Sequence, residues 1–559
     1  MRRGEGKSAV SRLARRAWIL VLMGACVGLP SDGWTGELDA VYGPTAPDEI
    51  LSKKLEATPE AVQAGKQVYE RRCLPCHGVN GAGDGPAADT MNPRPRDFTA
   101  ALFKLRSTQK DELPTDEDLY RTISRGIPGT GMPAWKQLLS EDERLKVIAY
   151  IKTFSGRFKS GGPPKMIPSG KEPSPSSELI ARGKELFEGK AQCLLCHGKA
   201  GRGNGAIAEA IVDARADPLY PRNLTKSWLY KGGNDVKDIY LRISGSLNGT
   251  PMPAYLDTLS EEERWAIAHY VKSIQKPAPT GGKVVIESRP ISEEIPMDPN
   301  APLWQEGEDV EVLMSGQVHV APRDQDPTVD LVLIKSVYND KDIAFWLEWD
   351  DRTQNVTNQD NERTQKMEAA DFSATYPVLY PSSVRLRGMR DAVALQFPVK
   401  IPQGPEKPHF FLGDTGKPVN LWHWKADLQK VEELNAKGYK TPSSIQPPDS
   451  QEATGQGVFN DGVWRVVLKR PLATKDVAND IQFITGQLIP VAVHVWDGAN
   501  GETGLRRAIS SWYFVVLQTV VPAWVYLFTV FAVAVTVGVE VWLVRRSKAS
   551  AGLEQGKTR

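Results

Sequence analysis

Gly65, Val68 and Tyr69 stand at i, i+3 and i+4, and Gly183, Leu186 and Phe187 repeat that spacing, which predicts a helix opening each of two segments. Leu145, Ile148 and Ile151 in one segment, and Trp265, Ala268 and Val271 in the other, mark a closing helix. Ser140 with Glu143 and Ser260 with Glu263 form capping boxes where those closing helices begin. Beyond residue 329 the period changes from helical to alternating. VDLVLIKSVYNDKDIAFWLEWDD (329–351) holds two strand-type runs around the turn signal Asn339-Asp340. Similar runs at 383–388, 391–399, 462–470 and 489–498 predict an antiparallel β-sandwich. In LWHWKAD (421–427), Trp422 and Trp424 alternate with His423 and Lys425, as one strand with two differently occupied faces. Val521 to Val544 is a largely apolar run of 24 residues with one ionisable group, Glu540. At ~1.5 Å per residue that run reaches about 36 Å, enough to cross a ~30 Å hydrocarbon core.

Two Pro-, Gly- and Ser-rich stretches, 161–177 and 276–282, read as linkers. They divide the chain into 45–158, 178–275 and 283–515, followed by the apolar segment within 518–546. Residues 1–33 read as an export signal: Arg2, Arg3, Lys7, Arg12, Arg15 and Arg16 precede a run of 13 apolar residues, Ala17 to Leu29, too short to span a membrane comfortably. Arg545, Arg546 and Lys548 follow the C-terminal segment and place the tail in the cytoplasm. The expected location is the cell inner membrane, crossed once, with the preceding domains on the periplasmic side. A length of 559 residues exceeds one core, and a net charge of +1 gives no basic excess that would draw nucleic acid.

The first two domains repeat each other. Tyr120-Arg121-Thr122-Ile123-Ser124 answers Tyr240-Leu241-Arg242-Ile243-Ser244, and Gly131-Met132-Pro133-Ala134-Trp135 answers Pro251-Met252-Pro253-Ala254-Tyr255, at a constant offset of 120. Four of the 5 cysteines fall in Cys73-Leu-Pro-Cys76-His77 and Cys193-Leu-Leu-Cys196-His197. A redox dithiol needs no adjacent histidine and belongs near a βαβ pattern, which neither repeat shows. Zinc needs four ligands, and each motif offers three; each also has its own helical repeat, which argues against sharing. Covalent haem attachment uses both thiols and sets the histidine beneath the ring. Met132 and Met252 each follow their histidine by 55 residues, although Phe98 follows His77 by 21 and the matching Leu224 follows His197 by 27. A register that survives a shifted loop points to a second axial ligand.

At these motifs both repeats resemble class I cytochrome c domains. The resemblance implies covalent haem at Cys73, Cys76, Cys193 and Cys196, with His77/Met132 and His197/Met252 as iron ligands. An iron filled on both sides moves electrons and binds no substrate, so neither repeat is expected to be catalytic. A second resemblance rests on GQVHVAPRDQDPTVDLVLIKSVYNDKDIAFWLEWDD, MRDAVALQFPV, FFLGDTGKPVNLWHWKAD and VHVWDGANGETGLRRAISSW, in that order. These are similar to the haem b-binding domain of the ethylbenzene dehydrogenase gamma subunit and its relatives, electron-transfer subunits of the type II dimethyl sulfoxide reductase family, which includes nitrite oxidoreductases. Relatives place a methionine where Leu412 stands and a lysine near Arg506 and Arg507; a guanidinium stays protonated and is a poor iron ligand. Met389, His423 and Lys425 are then the candidate ligands for a non-covalent haem b.

The expected architecture is multidomain: two all-α cytochrome c domains, one antiparallel β-sandwich and one C-terminal transmembrane helix. The expected function is electron relay, without a catalytic residue of its own, through two covalent haem c groups and one haem b. The relay would run between molybdenum-containing catalytic and iron–sulfur subunits and a soluble cytochrome c or terminal oxidase. An enzyme with an open haem iron, or a docking or carbohydrate-binding sandwich joined to a dihaem cytochrome, are the alternatives.

Overall fold

The structure is a computed structural model describing residues 55–214, 216, 219–317, 323–324, 327, 329–356, 389–404, 406–438, 441, 443–519 and 523–555. The export signal at 1–33 and the strand expected at 383–388 lie outside the described residues.

Each repeat is a three-helix frame. The first comprises α1 (Pro59–Arg72), α2 (Asp116–Arg125) and α3 (Glu141–Ile151), and the second α4 (Ser177–Glu188), α5 (Val236–Gly245) and α6 (Glu261–Ser273). Helix α1 starts where Thr58 accepts from the Ala61 amide at 3.2 Å with Pro59 in the first turn. Both expected capping boxes form, and Thr115 with Asp118 adds a third at α2. The first and last helices of each repeat cross on a glycine. A Cβ on Gly65 would stand 1.9 Å from the Lys146 carbonyl oxygen, and one on Gly183 would stand 2.0 Å from that of Ala266. Any larger residue would separate the two helices that carry each repeat's core.

The segment 161–177, with the composition of a loose linker, is tied to both repeats. Gln109 N donates to Lys165 O at 2.9 Å, Tyr240 Oη donates to Pro168 O at 2.9 Å, and Ile167 is buried in the core of the second repeat.

Residues 285–517 form a 13-stranded sheet that folds over on itself. Its strands are β1 (Val285–Pro290), β2 (Val310–Ser315), β3 (Leu331–Tyr338), β4 (Asp342–Asp350), β5 (Ala392–Pro398), β6 (Val419–Lys425), β7 (Lys430–Ala436), β8 (Ser444–Ile445), β9 (Thr454–Asn460), β10 (Val463–Pro471), β11 (Leu488–Trp496), β12 (Ala508–Ser510) and β13 (Tyr513–Leu517). The order is β8-β7-β6-β5-β11-β12-β2-β3-β4-β10-β9, with β13 joining β11 to β1. Most pairs are antiparallel; β1 pairs in parallel with β13 and with β3. One apolar core joins the two layers: Trp349 and Trp464 from β4 and β10 meet Trp422 and Trp424 from β6. Trp424 fits because β9 presents Gly455 and Gly457 beneath it; a Cβ on Gly457 would lie 2.4 Å from the indole.

The second repeat is joined to the sheet by charge. Lys226 Nζ contacts Asp330 and stands 3.3 Å from Asp350, while Arg202 reaches Asp350 at 2.5 Å. Helix α7 (Ala523–Gln555) follows the last strand. Leu527, Phe528, Phe531 and Trp542 are exposed along it, and Leu527–Arg546 is long and apolar enough to cross a membrane.

Candidate haem sites

Helix α1 runs directly into a one-turn helix, Leu74–His77, that carries the first cysteine motif. His77 N donates to Cys73 O at 2.9 Å, and Gly78 closes the turn at a φ of 80°. The second motif repeats this with His197 N on Cys193 O at 2.9 Å and Gly198 at a φ of 76°. A left-handed glycine ends both turns because the chain must reverse at once: a Cβ there would sit 2.0 Å from Asp84 Oδ1 or 2.1 Å from Asn204 Oδ1.

The imidazoles are held alike. His77 Nδ1 lies 2.9 Å from Arg96 O, and His197 Nδ1 lies 2.9 Å from Arg222 O. A carbonyl oxygen only accepts, so the proton sits on Nδ1 and the Nε2 lone pair is left for a metal. Burial lowers the pKa of both rings and keeps them neutral. His77 also stacks on Phe98, ring centroids 4.4 Å apart.

Burial, aided by Cys76, pushes the Cys73 thiol up to about 12, and burial pushes Cys193 up to about 11. Such thiols are not the low-pKa thiolates of a redox dithiol.

The methionine loops match as well. Met132 N donates to Thr130 Oγ1 at 3.2 Å and Met252 N to Thr250 Oγ1 at 3.4 Å. Gly126 and Ser246, at equivalent positions, both take positive φ, 68° and 63°. Cys73 and Met132 flank one apolar cluster, whereas Met252 is held by its backbone, its carbonyl accepting from Ser246 Oγ at 2.6 Å. Trp135 is buried, yet its Nε1 has no acceptor among the described residues. Paired thiols, an imidazole with a bare Nε2, a thioether and an orphaned indole N–H fit a haem with polar edge groups.

The three candidates for haem b are placed differently. Lys425 Nζ is bound to Glu432 at 2.8 Å. Met389 is buried with its carbonyl oxygen against Gly498. His423 is 8% exposed and its Nε2 has no partner among the described residues. The face of β6 opposite the tryptophans is therefore dry, and Lys425 and His423 lie inside the protein. His423 shares a row with Ala394 and His494 across β6, β5 and β11. Arg507 Nε donates to His494 Nδ1 at 2.7 Å, which puts the His494 proton on Nε2 and removes that nitrogen as a ligand. Arg507 is fully buried, its guanidinium 5.0 Å from the Phe411 ring and 4.9 Å from Trp496. Leu412, beside Phe411, is also buried. Leu412 packs with Val419, Leu421 and Leu434, so a hydrocarbon and a buried guanidinium stand where the resemblance puts its ligands. His423, Trp496 and Arg390 border a narrow cleft with room for about one water. Lys425 is thus paired with Glu432, Leu412 and Arg507 offer no ligand atom, and the bare Nε2 of His423 is left as a donor beside this cleft.

Comparison with known proteins separates the chain in the same way. The family described as cytochrome C oxidase, cbb3-type, subunit III matches residues 60–151 and 178–271, and the ethylbenzene dehydrogenase family matches 301–459. The putative respiratory nitrate reductase heme subunit ORF7 of Haloferax mediterranei is 26% identical over 45% of this chain and 83% of that protein. The dimethylsulfide dehydrogenase subunit gamma of Rhodovulum sulfidophilum is 28% identical over 39% of this chain and 74% of its own length. The chlorate reductase subunit gamma of Ideonella dechloratans is 35% identical over 22% of this chain, which spans 48% of that protein. The chain thus resembles a cbb3-type cytochrome c subunit over its two repeats and an ethylbenzene dehydrogenase over its sheet domain, and both matches support haem binding.

Proposed function

We propose that the chain is a membrane-tethered dihaem electron-transfer subunit of a respiratory oxidoreductase complex. The observation that carries this reading is the duplicated histidine geometry, with Nδ1 fixed by a carbonyl and Nε2 left for a metal in both repeats. In domains 45–158 and 178–275, Cys73, Cys76, Cys193 and Cys196 would hold two haem c groups, with His77 and Met132, and His197 and Met252, on their irons. A bound haem supplies one-electron transfer, and a methionine opposite a histidine raises its potential. The protein fixes both rings, keeps them neutral and provides no open iron position, so substrate chemistry belongs to another subunit.

The similarity to gamma subunits of chlorate reductase and dimethylsulfide dehydrogenase supports a molybdenum-containing catalytic partner with an iron–sulfur subunit. A soluble cytochrome c or terminal oxidase would take the other end of the relay. The 283–515 domain, in this reading, docks the relay onto the complex without a haem of its own. Helix α7 anchors the chain, with Arg545 and Arg546 on the cytoplasmic side and the cytochrome repeats on the periplasmic side.

A pyridine haemochrome assay after acid–acetone extraction tests this. Two haems that stay with the protein and none in the extract are expected. Fewer than two covalent haems would overturn the relay, and a third, extractable haem would overturn the docking role of the sheet domain.

A further inference from the structure

Three carboxylates from strand ends of the sheet domain converge where the haem chemistry plays no part. Asp351 follows β4, Asp391 precedes β5 and Asp497 follows β11. Each offers one oxygen, and those oxygens lie within 4.8 Å of one another. Their exposures are 2%, 0% and 1%.

Backbone and indole donors aim the group. Asp391 accepts from Asn355 N at 2.7 Å, Gly498 N at 2.9 Å and Trp464 Nε1 at 3.0 Å. Asp351 Oδ1 accepts from Thr353 N at 3.2 Å, and Asp497 Oδ1 accepts from Asn500 N at 3.2 Å. Those neutral donors orient the carboxylates but cannot balance three charges out of water. Arg352 reaches Asp497 at 3.5 Å while its guanidinium lies 3.3 Å from the Tyr220 ring. Arg390, next to Asp391 in the chain, bonds Asp427 at 2.8 Å. Glu502 adds another acid, accepting from Asp497 N at 3.0 Å. Independently of the cluster's shape, Asp351 Oδ2 is buried and has no hydrogen-bond partner among the described residues.

We propose that Asp351, Asp391 and Asp497 bind a structural calcium ion that fastens the ends of β4, β5 and β11. An all-oxygen donor set selects a hard cation. Oxygens within 4.8 Å of one another share a point no more than about 2.8 Å from all three, so a shift of a few tenths of an ångström brings them to the ~2.3–2.6 Å of calcium–oxygen bonds. Magnesium demands near-octahedral geometry and keeps several waters, for which so closed a cluster leaves little space. The ion also bears on the second repeat: Tyr220 Oη donates to Ala499 O at 3.0 Å in the loop after Asp497, and Tyr220 is two residues before the Arg222 whose carbonyl holds His197.

Terbium provides the test, because Trp464 donates to Asp391 and can sensitise its emission. The full-length protein is stripped with EDTA, dialysed and titrated with terbium under tryptophan excitation. Sensitised emission that calcium displaces is expected, with affinity reduced about tenfold or more in Asp351→Asn. The unfolding temperature of the unaltered protein should fall after EDTA and recover with calcium. No sensitised emission together with an unfolding temperature indifferent to EDTA and calcium would overturn the proposal, leaving the carboxylates to share protons. Emission that persists unchanged in both Asp351→Asn and Asp391→Asn would place the metal elsewhere and overturn it equally. The measurements on the unaltered protein decide the matter even if a variant fails to fold.

Discussion

Arg121 and Asp238 form a two-pronged ion pair, Nη1 to Oδ1 at 2.6 Å and Nη2 to Oδ2 at 2.7 Å, that ties α2 of the first repeat to α5 of the second. Asp238 occupies the position equivalent to Asp118, whose carboxylate stays within its own repeat and caps α2. Duplication supplied two equivalent acids, and docking turned one of them into a bridge. Arg242 extends the seam by donating to Lys104 O at 3.1 Å.

The first prediction concerns that seam. Arg121→Met leaves Asp238 largely buried without its cation and should cost about 1.5–3 kcal/mol, the value of a charged hydrogen-bonded contact. Denaturant unfolding followed at both repeats should resolve from one transition into two. A single transition at an unchanged midpoint would assign the repeats' coupling to the strap at 161–177 instead.

The methionines proposed as axial ligands make a second. Met132→Leu and Met252→Leu should each retain covalent haem but lower the reduction potential of one haem, because the thioether that favours ferrous iron is gone. The opened iron should bind carbon monoxide in the reduced state, which the unaltered protein should not. Visible spectroscopy with and without carbon monoxide distinguishes these outcomes.

Lys226 carries the third. It is 3% exposed, between Asp330 and Asp350. Lys226→Met removes one partner of a buried ion pair and should destabilise the contact between the second repeat and the sheet by about 3–5 kcal/mol.

The fourth is the pH dependence of the same contact. Burial opposes charge on Asp350, but Lys226, Arg202 and Lys276 outweigh it and its pKa is lowered. Its stabilising contribution is present above the unfolded value of ~3.9 and is lost as pH falls through the lower folded value. Burial likewise opposes charge on Lys226, and Asp330 and Asp350 outweigh it, raising its pKa. That contribution is present below ~10.4 and is lost as pH rises through the higher folded value. Limited proteolysis of 276–282 should therefore be flat from about pH 4 to 10 and accelerate outside that window. Acceleration near pH 6 would implicate a histidine instead.

A fifth returns to β6. Arg470 is fully buried beneath Trp422, its guanidinium 4.7 Å from the indole, with Nη1 on Asn420 at 3.0 Å and Glu433 at 3.2 Å. Arg470→Lys keeps the charge but loses the planar fork, and should cost about 2–4 kcal/mol in thermal or denaturant unfolding. An unchanged midpoint would show that charge alone, not geometry, holds Glu433.

Local and repeated features are legible along the chain alone. Cysteine spacing, histidine-to-methionine register and capping residues follow from contacts a few residues apart, and the duplication let each copy check the other. Strand alternation and the apolar C-terminal run follow equally from a short period and a transfer free energy. Pairing between distant polar groups became visible once the chain was folded. The carbonyls of Arg96 and Arg222 fix the histidines, but every residue has a carbonyl, so no side-chain signal marks them. Asp351, Asp391 and Asp497 read singly as surface acids, because their convergence depends on the order of β4, β5 and β11 in the sheet. Lys425 reads as the wet end of LWHWKAD until Glu432, on the neighbouring strand, is seen to take it inside. Burial of a charge is a property of the partner that meets it, and that partner is chosen by the fold rather than by proximity along the chain.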